Sequence, residues 1–91
     1  MLMKSNEKDK TGLLKQIDYL LKELENPHIT VERVQSIKGL SVDLAEAIDK
    51  SFNNAAILGS FVKESYRVDS RYDKRKVKRV LKSLRVYLGD C

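Results

Sequence analysis

The chain has little of several things, and each lack excludes something. Cys91 is the only cysteine, so no internal disulfide forms and a reducing, cytoplasmic setting is expected. It reads as an idle terminal thiol. His28 is the only histidine, and no spaced set of His, Cys or carboxylates accompanies it. Neither a metal-ligand pattern nor a nucleophile–base pair is therefore readable. No glycine-rich loop suited to cradling phosphate is present. The expectation is a protein that is not an enzyme and uses no cofactor or metal. The longest unbroken apolar run is Ala55–Leu58, far short of the roughly 20 residues a membrane span needs. Residues 1–11 are polar and charged after Leu2 and Met3, which gives no secretory signal.

Helix breakers are also scarce. One proline and four glycines interrupt a chain rich in Leu, Lys, Glu and Ala, a composition that favours helix. With 42% apolar and 34% charged residues in 91 positions, it reads as one globular domain with a modest core and little room for a deep cavity. The fold class that follows is all-α: a compact bundle of four, or at most five, helices with short connections. Residues 1–10 read as a flexible charged leader and 11–91 as the single helical domain.

Negative charge is what the end of the chain lacks. No glutamate follows Glu64, and residues 70–91 carry eight cations against Asp73 and Asp90, a net +6 in a chain whose total is +5. The cations are Arg71, Lys74, Arg75, Lys76, Lys78, Arg79, Lys82 and Arg85. At 100° per residue, Val77, Val80, Leu81, Leu84, Tyr87 and Leu88 fall in an arc of about 120°, with most of the cations opposite. The spacing predicts an amphipathic helix from about Ser70 to Gly89. Asp69 or Ser70 would cap it, Asp73 would sit in its first turn, and Gly89 would stop it. A helix that serves only solubility interleaves Glu with Lys at i,i+4. Here the cations repel one another until an anion arrives, so an anionic partner is expected.

Upstream, Leu13, Leu14, Ile17, Leu20, Leu21 and Leu24 predict a first helix from Thr11, ended by Asn26-Pro27. His28 reads as a turn residue. Thr30 is the expected cap of a short second helix, with Ile29 and Val34 as its hydrophobic staple and Gly39 as its stop. Ser41 would cap a third helix reaching Tyr66, apolar on nearly all sides between Ala55 and Val62 and central to the bundle. Its small residues Ala55, Ala56 and Gly59 suit close helix approach. Asn53-Asn54 is the place where it would break in two.

The segment Thr30–Ser51, TVERVQSIKGLSVDLAEAIDKS, resembles a helix-turn-helix, with Gly39 at the turn and Val34, Leu40, Ala45 and Ile48 at buried positions. It departs from that pattern at Gln35 and Lys38. Its second helix would also set Asp43, Glu46 and Asp49 toward phosphate, so the basic final helix is the better nucleic-acid contact. The helix order and the Asn-Pro turn also look similar to the immunity proteins of pediocin-like bacteriocins, a likeness of architecture that carries no functional residue across.

The expected function is a small nucleic-acid-binding regulatory or accessory protein. Its basic helix would make four to six phosphate contacts, and Tyr66, Tyr72 and Tyr87 lie near enough for base stacking, although core packing is the better reading for Tyr66 and Tyr87. The alternative is a helical protein-binding module that recognises an acidic partner, with a homodimer through the third helix as one form of it. Association with a membrane surface ranks last, because the apolar face has no Trp or Phe and is needed by the core.

Overall fold

The computed structural model describes residues 2–67 and 74–90, with side chains for 10–67 and 74–89. The described residues form four helices and no strand: α1 (Leu2–Leu24), α2 (Val31–Phe52), α3 (Ile57–Arg67) and α4 (Lys74–Asp90). Asp69, Ser70, Arg71, Tyr72, Asp73 and Cys91 lie outside the described residues. None of these helices is long and apolar enough to cross a membrane.

Four helices are present, but the chain divides among them differently from the periodicity reading. α1 begins at Leu2 rather than at Thr11. Nothing between Leu2 and Leu24 interrupts it except Gly12, whose position in a helix interior costs only about 1 kcal/mol. The expected apolar face is the one used. Ile17, Leu20 and Leu24 are buried, and Leu13, Leu14 and Leu21 pack against them. At the end of α1, the Glu25 and Asn26 amides turn back to the carbonyls of Lys22 and Glu23, and Asn26 Oδ1 accepts from the His28 amide at 2.9 Å.

α2 overturns the largest expectation. It runs straight through Gly39, so there is no turn at that residue and no cap at Ser41. The helix-turn-helix resemblance of Thr30–Ser51 is thereby corrected to one continuous helix. The reason is a buried stripe, Val34, Ile37, Ser41, Leu44, Ala45 and Ile48, that stays in phase across the glycine. A helical glycine costs about 1 kcal/mol, whereas each fully buried Leu or Ile contributes roughly 1.5–3 kcal/mol, so burial decides. Thr30 does cap the start, its hydroxyl accepting from the Arg33 amide at 3.1 Å. Val34 is buried and Ile29 packs on the core, as a staple requires.

Ser41 performs a different task from the one its type suggested. Its hydroxyl donates to the Lys38 carbonyl at 2.6 Å, which leaves its lone pairs to accept from the Tyr66 phenol at 2.7 Å. The Lys38 ammonium lies 5.1 Å from the centre of the Tyr66 ring, a cation–π contact. The far end of α3 is thus fixed to the middle of α2.

The segment 42–66 is two helices, as Asn53-Asn54 suggested. Asn53 closes α2 in the left-handed region, and Ala55 and Ala56 also have positive φ, 54° and 64°. Those two alanines form a turn and are not a helix-packing surface. Asp49 holds the corner from both sides. Its carbonyl accepts from the amides of Asn53 and Asn54, while its buried carboxylate accepts from the amides of Leu58 (3.0 Å) and Gly59 (2.7 Å). A carboxylate from α2 therefore caps the N-terminus of α3, where the helix dipole favours negative charge. Gly59 is the residue that permits the approach, since a Cβ there would lie 3.1 Å from Glu46 Cγ and 3.3 Å from Asp49 Oδ2.

α2 is the centre of the bundle, packing on α1, α3 and α4, while α4 packs on α1 and α2. α3 buries Gly59, Val62 and Tyr66 but leaves Ile57 (66%) and Phe61 (54%) exposed. α1 and α2 are also joined by Arg33, whose guanidinium donates to both Glu23 carboxylate oxygens at 2.5 and 2.9 Å. That hydrogen bond holds the Glu23 carboxyl below its ordinary pKa and raises that of Arg33.

Candidate functional site

The final helix forms with the expected apolar face, but it runs to Asp90, through the Gly89 expected to stop it. Val77, Val80, Leu81, Leu84 and Leu88 are buried to within a few per cent. Tyr87 is half-buried, and its hydroxyl accepts from Asn54 Nδ2 at 2.7 Å. With that stripe against α1 and α2, the cations can face only outward or along the seams.

The structure sorts them into three sets. Lys78 and Arg85 lie on the seam with α1 and are paired there, Lys78 Nζ with Glu25 Oε2 at 3.4 Å and Arg85 Nε with Asp18 Oδ1 at 2.6 Å. Asp18 and Glu25 are the acids that line this seam. Both partners are about seven residues apart on each helix and run in opposite senses, the pattern of two antiparallel helices in register. Lys76 lies on the other seam, its ammonium donating to the Ser65 carbonyl at 3.0 Å. Lys74, Arg75, Arg79 and Lys82 form the third set and have no carboxylate partner among the described residues. Arg71 lies outside the described residues. The expected face of six cations opposite the core is thus corrected to four unneutralised ones and two held by the chain's own acids.

Arg75, Arg79 and Lys82 are exposed. At 100° per residue they fall, with Val86, in an arc of about 60° opposite the buried stripe. Val86 is 63% exposed, an apolar member of this ridge that the charge pattern hid. Arg75, Lys78, Arg79, Lys82, Ser83 and Val86 border a shallow depression of about 600 Å³. Every bordering residue belongs to α4, so this is open helix surface and not a cavity that encloses a small molecule. From Arg75 to Lys82 the ridge rises about 10.5 Å.

Tyr66 and Tyr87 go to the core, the reading favoured for both, and neither is available for stacking on this face. Tyr66 is buried, and burial raises its phenol pKa above the ordinary value, with the hydrogen bond to Ser41 opposing. Tyr87 is committed to the core and to Asn54. Tyr72 lies outside the described residues.

A second depression, of about 440 Å³, sits at the α2–α3 corner beside Glu46, Asp49, Lys50, Asn53, Ala55 and Ala56. Its carboxylates are engaged, Asp49 with the α3 amides and Glu46 with Lys63 at 2.9 Å. Comparison of the chain with protein-family models, with curated proteins and with solved structures returned no match.

Proposed function

We propose that the chain binds the phosphate backbone of nucleic acid through the outward ridge of α4, as a small regulatory or accessory protein. The observation that carries this reading is selective neutralisation. The fold supplies acids to Lys78 and Arg85 at the α1 seam and, among the described residues, none to Arg75, Arg79 and Lys82 on the open ridge. Cations without a carboxylate partner among the described residues, held in a row along one helix, are placed for an anion, and a row suits an extended one. Phosphate contacts position a protein without reading sequence, and that positioning role is the one proposed for the ridge. Three ridge residues and Lys74 give about three to four phosphate contacts, fewer than the composition alone suggested. Titration against duplex DNA, single-stranded DNA and anionic vesicles over a range of salt tests the reading. Salt-sensitive binding to nucleic acid supports it, and binding to none of them overturns it.

A second reading, a protein-binding module, rests on Ile57 and Phe61, which stand exposed one turn apart on α3. Sedimentation tests the self-association form of it. A monomer that Phe61→Ser leaves unchanged removes it.

A further inference from the structure

Three surfaces were left unexplained by the α4 ridge: the corner depression, whose acids are engaged; the apolar pair on α3, for which nothing specifies an occupant; and the outer face of α1. The last carries an inference. Lys15, Tyr19 and Lys22 follow one another at i, i+4 and i+7, within an arc of about 60° directly opposite the buried Ile17, Leu20 and Leu24. Tyr19 is 64% exposed, and its hydroxyl has no hydrogen-bond partner among the described residues. Lys15 and Lys22 are exposed and have no acidic partner among them either.

The row leans toward α2 at Tyr19, whose phenol lies near Arg33, and an acidic seam separates it from the α4 ridge. Asp18 and Glu25 lie between the two rows, and they are the residues that pair with Arg85 and Lys78. The face made by α1 and α4 therefore has two cationic rows separated by a neutralised seam. The α4 row carries no aromatic side chain on its outward arc, and the α1 row carries one between two lysines. A backbone contact alone needs no aromatic ring. An exposed ring flanked by cations is the combination by which proteins hold unpaired bases, the lysines on phosphate and the ring on the base.

Resting on the proposed α4 reading, we infer that the preferred ligand is single-stranded nucleic acid, with a base stacked on Tyr19 and phosphates held by Lys15 and Lys22 as well as by Arg75, Arg79 and Lys82. Duplex DNA, whose bases are already stacked, would engage the cations alone.

The test measures binding of an oligothymidylate strand of about twenty nucleotides, and of its duplex with oligodeoxyadenylate, to the full chain and to Tyr19→Ala, Tyr19→Phe and Lys15→Gln/Lys22→Gln. Thermal unfolding checks that each variant folds. Tyr19→Ala should weaken single-strand binding about 5- to 150-fold, the range of one stacked base, and leave duplex binding unchanged. Tyr19→Phe should bind as the parent does, and the double lysine variant should bind more weakly with a shallower salt dependence. Single-strand binding unaltered by Tyr19→Ala, or duplex binding weakened equally, overturns the stacking inference. If Arg75→Gln/Arg79→Gln/Lys82→Gln still lowers affinity in that case, the α4 reading stands without it. A parent chain that binds neither probe overturns both.

Discussion

Arg85 of α4 donates its Nε hydrogen to Asp18 of α1 at 2.6 Å, across 67 positions of sequence. With Lys78 and Glu25 on the same seam, it separates the seam cations of α4 from Arg75, Arg79 and Lys82, which have no carboxylate partner among the described residues. The two sets answer differently to mutation, which makes the division measurable.

The seam pairs are half-exposed, so solvent screens them and each is worth about 0.2–1 kcal/mol. A double-mutant cycle with Asp18→Ala and Arg85→Ala should give a coupling in that range, falling as salt is raised. A coupling of zero at low salt would mean that the two side chains do not meet in solution.

Gly39 separates the continuous α2 from a helix-turn-helix, and Gly59 probes the α2–α3 corner. A Cβ at Gly39 meets nothing and its φ is ordinary, so Gly39→Ala should stabilise the fold by about 0.5–1 kcal/mol. Had Gly39 formed the turn of a helix-turn-helix, the same change would destabilise. Gly59→Ala should instead cost about 1 kcal/mol, because crowding against Glu46 and the fixed Asp49 carboxylate outweighs the gain in helix propensity. Urea unfolding of the two variants reads both signs.

Asp49 is 5% exposed and caps α3 with both carboxylate oxygens. Asp49→Ala should cost about 2–3 kcal/mol, and Asp49→Asn about half as much because one acceptor oxygen remains. The loss should appear first as faster amide exchange in α3. Equal exchange in all four helices would contradict a local capping role.

Stability should change at both ends of the pH scale. The Glu23 carboxyl is lowered in the folded state by its hydrogen bond to Arg33. Its contribution is therefore present above the unfolded value of about 4.3 and is lost as pH falls through the lower folded one. Tyr66 is raised by burial, so its contribution is present below an unfolded value of about 10 and declines as pH rises through the higher folded one. Glu23→Gln should flatten the acid limb of a plot of Tm against pH, and Tyr66→Phe the alkaline limb. Limbs unchanged by these substitutions would remove both groups from the account.

Helix type and most buried positions were legible in the sequence, because Ile17, Leu20 and Leu24 in α1 and Val77, Val80, Leu81, Leu84 and Leu88 in α4 repeat at helical spacing. The helix boundaries were less so. Gly39 is a local stop signal, and the continuing stripe from Val34 to Ile48 outweighs it only once its neighbours are in place. Ser41 conceals that stripe, since its hydroxyl looks like a cap until Tyr66 is seen to bond it. The cations of α4 were legible as a group. Their division was not, because Asp18 and Glu25 lie far away in sequence and reach the seam only through tertiary packing.

The most direct test compares the salt dependence of duplex DNA binding for the parent chain and for Arg75→Gln/Arg79→Gln/Lys82→Gln. Each phosphate contact contributes about −0.9 to the slope of log affinity against log salt. Loss of the three ridge cations should flatten that slope by about 2.7 while Tm stays within about 0.5 kcal/mol equivalent of the parent. A slope unchanged in a folded variant would contradict the account.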